Sequence, residues 1–263
     1  MSGLDSYRAL FDLTGRRAVV IGAGSGIGAA GARALAAQGA TVICADLSAT
    51  AAEAVAAEIR NGGGQAESAV VDVADVRSVS EFFDGVGTHE ILVTTPAINV
   101  RKRLLDLSDE EFRRVVSVNL EGTFNVVTRA GRIMAEAGKG SIVVISSIRA
   151  QVVEPGQGIY GATKAGVVQM IRALAAELGP MGVRANALAP GVVETPLTEQ
   201  IKNVPEWYEA YAQKAALGRW AQPIELAGPI VFLASDASSF VTGSFLAVDG
   251  GWLAIDGRYT PPL

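Results

Sequence analysis

The sequence predicts an α/β fold: a single doubly wound, Rossmann-type domain over residues 1–263, with a seven-stranded parallel sheet and helices on both faces. Three observations predict it. Short apolar, β-branched runs alternate with longer helix-patterned stretches along the whole chain; a glycine cluster follows the first apolar run; and no linker, repeat or low-complexity tract interrupts the pattern. Strands are expected at 17–22 (RAVVIG), 41–46 (TVICAD), 67–72 (ESAVVD), 90–94 (EILVT), 141–146 (SIVVIS), 183–188 (VRANAL) and 245–249 (FLAVD). Near-continuous apolar strands mean burial on both faces, and the spacing between them suits right-handed βαβ crossovers. Helical patterns fill the gaps, for example 51–60 and 108–135. The stretch 195–222 departs from this rhythm. It carries Pro196, Pro205, Trp207, Tyr208 and Tyr211, and reads as a partly helical, substrate-covering insertion.

Composition narrows the function. Hydrophobic residues make up 49% and charged residues 19%, enough to bury a sizeable core. A formal charge of -5 argues against a nucleic-acid partner, which needs a basic surface. No apolar run approaches the roughly 20 residues that span a bilayer. The segment 1–13 lacks a signal-peptide core, and a lone Cys44 excludes an internal disulfide. A cytoplasmic protein without membrane contact is therefore expected. The single histidine, His89, rules out a His-rich metal site, so no metal is expected and acid/base groups must come from other residue types.

The first strand runs into Gly22-Ala-Gly24-Ser25-Gly26-Ile27-Gly28, and a helix follows at once. Glycine there permits positive φ and a close approach of backbone to a pyrophosphate, while the helix N-terminus offers free N–H groups. The second strand ends in Asp46, 18 positions beyond Gly28. A carboxylate at this place accepts the ribose hydroxyls of NAD and repels the 2′-phosphate of NADP. Leu47 follows it, so no local cation favours NADP, and NAD is the expected cofactor. A solvated strand-end aspartate is the alternative. Asp72, ending the third strand, suits the adenine edge or a plain turn.

Tyr160 and Lys164 stand four apart in YGATK at the opening of a helical stretch, and so share one face. An ammonium about 4 Å from the phenol, at an effective dielectric of about 20, favours phenolate by roughly 4 kcal/mol. That brings a phenol with an ordinary pKa near ~10 towards use as a general base. Ser147 ends the fifth strand and is placed to hold the substrate oxygen. A YxxxK spacing is common by itself; its combination with a strand-end serine and a nucleotide-type turn is not.

Over about 13–252 the chain resembles the short-chain dehydrogenase/reductase family. GAGSGIG is similar to its glycine turn, with Ile21 where threonine is usual; Asp46 and Asp72 match its adenosine-side acids; Asn119 in SVNLEGTF matches its helix asparagine; and Ser147, Tyr160 and Lys164 match its catalytic residues. Pro190-Gly191 with Thr195 resembles its PG…T segment, and VTGSFLAVDGG its closing strand. The resemblance implies that Tyr160 deprotonates the alcohol, Lys164 assists it and binds the nicotinamide ribose, Ser147 holds the reacting oxygen, and Asn119 bends its helix to seat a relay water. Thr195 would meet the nicotinamide carboxamide. The cofactor set it implies is Gly22, Ser25, Gly26, Ile27 and Gly28; Asp46 with Leu47; Asp72 with Val73; Pro190, Gly191, Val193 and Thr195; and Tyr160 with Lys164. A homotetramer is implied as well, with the tail from Ile255 onward reaching a neighbouring subunit. One departure stands out: Thr94-Thr95-Pro96-Ala97 replaces the family's NNAG, removing both asparagine amides and one backbone donor.

AINVRKRLLDLSDEEF, LGRW and DGGWLAIDG are similar to the gluconate 5-dehydrogenase-like members, which oxidise sugar acids and polyols. Arg149 and Arg101 should face the substrate cleft, where a guanidinium can clamp a carboxylate, and Glu154 can take sugar hydroxyls. A solvated cation or an ion pair is the alternative for each arginine. Other readings are a 3-oxoacyl-thioester reductase, a hydroxysteroid or terpenoid alcohol dehydrogenase, and a nucleotide-binding regulatory protein with weakened catalysis.

Overall fold

The computed structural model describes residues 3–255; the tail from 256 onward, expected to reach a neighbouring subunit, lies outside the described residues. In chain order the elements are α1 (Gly3–Arg8), β1 (Arg17–Ile21), α2 (Gly26–Ala37), β2 (Thr41–Asp46), α3 (Ala49–Asn61), β3 (Gln65–Val70), α4 (Val76–Val86), β4 (Ile91–Thr94), α5 (Asp109–Val116), α6 (Gly122–Ala137), β5 (Gly140–Ile145), α7 (Gly158–Leu178), β6 (Val183–Pro190), α8 (Glu199–Lys202), α9 (Pro205–Lys214), α10 (Ala227–Ala234) and β7 (Phe245–Val248). The strands form one sheet in the order β3-β2-β1-β4-β5-β6-β7, every pair parallel. The order reverses between β1 and β4, which opens a crevice at the strands' carboxyl ends.

The continuous apolar strands follow from the two-sided burial. Val20, Val42 and Cys44 face one layer with Leu35, Val55 and Ile230. Their neighbours Val19, Ile43 and Ala45 face the other, with Phe82, Val126 and Ile171. A strand alternates faces at every residue, so covering both faces requires apolar residues at successive positions. A third cluster holds Ile148, Ile201, Tyr211, Trp220 and Trp252. This gives the 195–222 segment its own small core, with α8 and α9 as its helices. Among the described residues, no helix is long and apolar enough to cross a membrane.

Two expectations are corrected. The third strand was placed at 67–72 but spans Gln65–Val70. Its partner β2 ends at Asp46, whose carbonyl takes the Val71 N–H in the last bridge; beyond it there is no edge left to pair with. The helical stretch 108–135 is not one regular helix. A capping box of Ser108 and Glu111 starts α5, then a π-helical turn at Ser117–Glu121 interrupts it before α6. Asn119, where a bend is expected, lies in this turn; an inserted residue in the hydrogen-bond ladder is a recognised cause of a kink.

Candidate active site

The glycine turn is shaped by what stands against it. Gly22 and Gly26 have φ of 80° and 52°. A Cβ on Gly22 would lie 2.2 Å from Thr95 Oγ1, and one on Gly28 would lie 2.0 Å from the Gly22 carbonyl oxygen. Gly28 therefore serves close packing of α2 on the turn and is not among the residues that line the cavity. The same contact explains the Thr94–Ala97 departure. Thr95 donates its backbone N–H to the Ile21 carbonyl at 3.0 Å, and its hydroxyl is 3.2 Å from both the Ile21 and Gly22 carbonyls. A threonine hydroxyl thus ties the loop after β4 to the turn.

A cavity of about 450 Å³ occupies the crevice. At one end lie Gly22, Ser25, Gly26 and Ile27, then Asp46 with Leu47 and Asp72 with Val73; Pro190, Gly191, Val193 and Thr195 line another wall. Ser25 sits at the N-cap of α2, yet its side chain makes no capping bond. Asp46 is aimed by two backbone donors, Gly24 N–H at 2.9 Å and Ser48 N–H at 3.0 Å. Thr195 Cγ2 lies 3.2 Å from where a Cβ on Gly26 would stand, so the segment after β6 closes against the turn. These features fit a dinucleotide: a glycine turn with positive φ at Gly22 and Gly26, an uncapped hydroxyl at a helix N-terminus, and an oriented carboxylate.

Ser147, Tyr160 and Lys164 line the same cavity and are all buried. Tyr160 and Lys164 sit in the first two turns of α7. Lys164 Nζ donates to the Ile145 carbonyl at 2.8 Å and lies 5.7 Å from the Tyr160 ring centroid. Ser147 Oγ accepts the Arg149 N–H at 3.1 Å. The expected lowering of the phenol by Lys164 is corrected. Burial raises the Tyr160 pKa; the Ser147 hydroxyl and the positive Arg101 and Arg149 oppose this without overcoming it. Removing phenolate from water costs more than these neighbours return.

Burial also brings Lys164 down from 10.5 to about 8. Its folded pKa lies below its unfolded one, so the buried ammonium costs stability below about pH 8, and that cost fades as pH rises towards 10.5. Wild-type protein should therefore gain stability relative to Lys164→Met across that window, as read by urea melts on either side of it. A constant difference would show that Lys164 does not titrate there.

Asn119 is not among the residues that line this cavity. Its Oδ1 accepts the Ile98 N–H at 2.9 Å, and its Nδ2 donates to the Ile98 carbonyl at 3.0 Å and to Thr163 Oγ1 at 3.2 Å. The carboxamide is thus spent in holding the loop after β4 against α7, one step removed from the reacting atoms.

A smaller recess of about 60 Å³ adjoins the cavity at Ser147, Tyr160 and Gly191, and Arg101 and Arg149 line it. The expected roles of its charged residues are corrected here. Arg149 is salt-bridged to Glu154, and Arg101 Nη1 lies 3.6 Å from the same carboxylate. Glu154 also accepts the Tyr211 hydroxyl and does not line the recess. Arg101 lies over the Trp207 ring at 5.0 Å and Arg149 over Trp252 at 5.3 Å. The two guanidiniums hold an internal carboxylate, so neither is a free clamp. Asn99 and Gln157 also line the recess. Neither was singled out in the sequence, since a single amide in a loop carries no pattern. Among the described residues, no group of His, Cys, Asp and Glu could hold a metal ion.

Known proteins are similar to this chain in sequence and fold. A family model described as Enoyl-(Acyl carrier protein) reductase matches residues 22–253. Galactitol 2-dehydrogenase (L-tagatose-forming) of Cereibacter sphaeroides is 40% identical over 94% of this chain and 98% of its own. Gluconate 5-dehydrogenase of Gluconobacter oxydans is 36% identical over 94% and 98%. The crystal structure of a gluconate 5-dehydrogenase from Burkholderia cenocepacia J2315, in complex with NADP and tartrate, superposes with a TM-score of 0.89 at 36% identity, covering 94% of this chain and 98% of that one. The chain belongs to the short-chain dehydrogenase/reductase family and is an oxidoreductase acting on CH–OH donors.

Proposed function

We propose that this protein is an NAD(H)-dependent dehydrogenase that interconverts a secondary alcohol and a ketone on a polyol or sugar acid, with Tyr160 as general acid/base. The observation that carries the reading is the placement of buried Ser147, Tyr160 and Lys164 in one cavity with the glycine turn and Asp46. A bound nicotinamide supplies or accepts the hydride. Ser147 holds the substrate oxygen beside the phenol, and Tyr160 moves the proton. Burial keeps that proton on Tyr160 in the free site, so the resting phenol is set to protonate a ketone. For alcohol oxidation, the positive Arg101 and Arg149 make its loss easier. Asn119 acts by holding Ile98 in place.

NAD is favoured because the Asp46 carboxylate is held at the cavity by Gly24 and Ser48, and Leu47 brings no cation for a 2′-phosphate. The Burkholderia relative holds NADP, so the test is calorimetric titration with NADH and with NADPH. Tighter NADH binding is expected, and Asp46→Ala should narrow the preference by about tenfold, or ~1.4 kcal/mol. Tighter NADPH binding would overturn the cofactor assignment. Turnover of sugar acids and polyols with NAD then tests the substrate class. A homotetramer fits the exposed Phe112 on α5 and Phe124 on α6; a monomer by light scattering would count against it.

A further inference from the structure

The recess beside Ser147 and Tyr160 contains a chain of side chains in which each member fixes the next. The Glu154 carboxylate, salt-bridged to Arg149 and close to Arg101, has only acceptors to offer. Gln157, itself buried, must therefore turn its amide NH₂ towards it, and does so at 2.5 Å. This leaves Gln157 Oε1 facing Asn99, whose Nδ2 donates to it at 3.0 Å. The loops are also tied by the Lys102 N–H to the Gly156 carbonyl at 3.1 Å. Asn99 is thereby barred from flipping, and its Oδ1 is left buried without a partner. Arg101 Nε, on another residue lining the recess, is a buried donor also without a partner.

One unpaired acceptor and one unpaired donor are complementary to a hydroxyl, which accepts and donates at once. A carboxylate would meet the Arg101 N–H but leave Asn99 Oδ1 facing another acceptor. The recess holds about 60 Å³ and shares Ser147 and Tyr160 with the cavity, so the small group that fills it belongs on the carbon next to the reacting one. We propose that Glu154, acting through Gln157, sets Asn99 as an acceptor, and that Asn99 with Arg101 selects substrates bearing a hydroxyl beside the carbinol carbon. Glu154 and Gln157 are positioning residues, and the substrate class is a vicinal diol or polyol. This rests on the dehydrogenase reading above.

The test compares propylene glycol with isopropanol, which differ by that hydroxyl. Wild-type kcat/KM should favour the diol by about ten- to hundredfold. Gln157→Leu frees Asn99 to flip and should erase most of this preference, the loss falling more heavily on propylene glycol than on isopropanol. Adding Asn99→Asp to Gln157→Leu places acceptors on both sides of residue 99 and should restore the preference, which a merely structural role for Gln157 would not. Equal wild-type rates, equal losses on both alcohols, or no rescue would overturn the proposal. If neither alcohol is turned over, the dehydrogenase reading is decided separately by the sugar-acid and polyol assay. The subsite is then read by saturation-transfer NMR with the same two ligands. A propylene glycol signal that exceeds the isopropanol signal and is lost in Gln157→Leu supports it, and equal signals sink it.

Discussion

Tyr160→Phe is expected to lower turnover by about 10²–10⁴-fold while cofactor affinity and melting temperature change little. The ring stays, and with it the packing of a side chain that is 8% exposed; only the hydroxyl is lost. That hydroxyl is the sole titratable proton carrier among the residues shared by the large cavity and the recess, the others being Ser147, Gly191, Leu197 and Thr198. Because burial raises its pKa, the phenol holds its proton through neutral pH, so the ketone-reducing direction should persist to lower pH than alcohol oxidation. Steady-state rates in both directions, with cofactor binding measured separately, check this. A variant retaining more than a few per cent of wild-type turnover would remove Tyr160 from the proton-transfer role.

Glu154→Leu is expected to destabilise the protein by about 3 kcal/mol, because it leaves two largely buried guanidiniums without their carboxylate. The side chains of Arg149 and Arg101 are only 9% and 14% exposed, and Glu154 itself 19%, which places the expected cost at the lower end for a broken buried pair. Tyr211 and Gln157 lose their acceptor in the same step. A fall in melting temperature of roughly 6–12 °C follows for a chain of this size. Glu154→Gln retains the shape and an acceptor, and should cost less. Thermal melts of the three proteins decide it. A Leu variant as stable as wild type would mean that solvent reaches the arginines and that the cluster is no more than a surface ion pair.

The sequence alone determined the order and type of the sheet-forming elements, the glycine turn, the strand-end Asp46, and the grouping of Ser147, Tyr160 and Lys164 that the cavity brings together. These are legible because each is a local pattern: apolar strands that need cover on both faces, glycines that a turn requires, and a four-residue spacing that fixes two side chains on one helix face. The tertiary structure decided what local patterns do not encode. Thr95 bridges to the turn, and Asn119 holds Ile98, because those partners arrive from other strands and loops. Arg101 and Arg149 looked like clamps for a substrate carboxylate until Glu154 was seen between them. The Tyr160 phenol, expected to be lowered by its neighbour on the helix, is raised instead. Charge pairing depends on distances between groups brought together by folding, and desolvation depends on everything packed around a group; neither is a property of the residues adjacent in the chain.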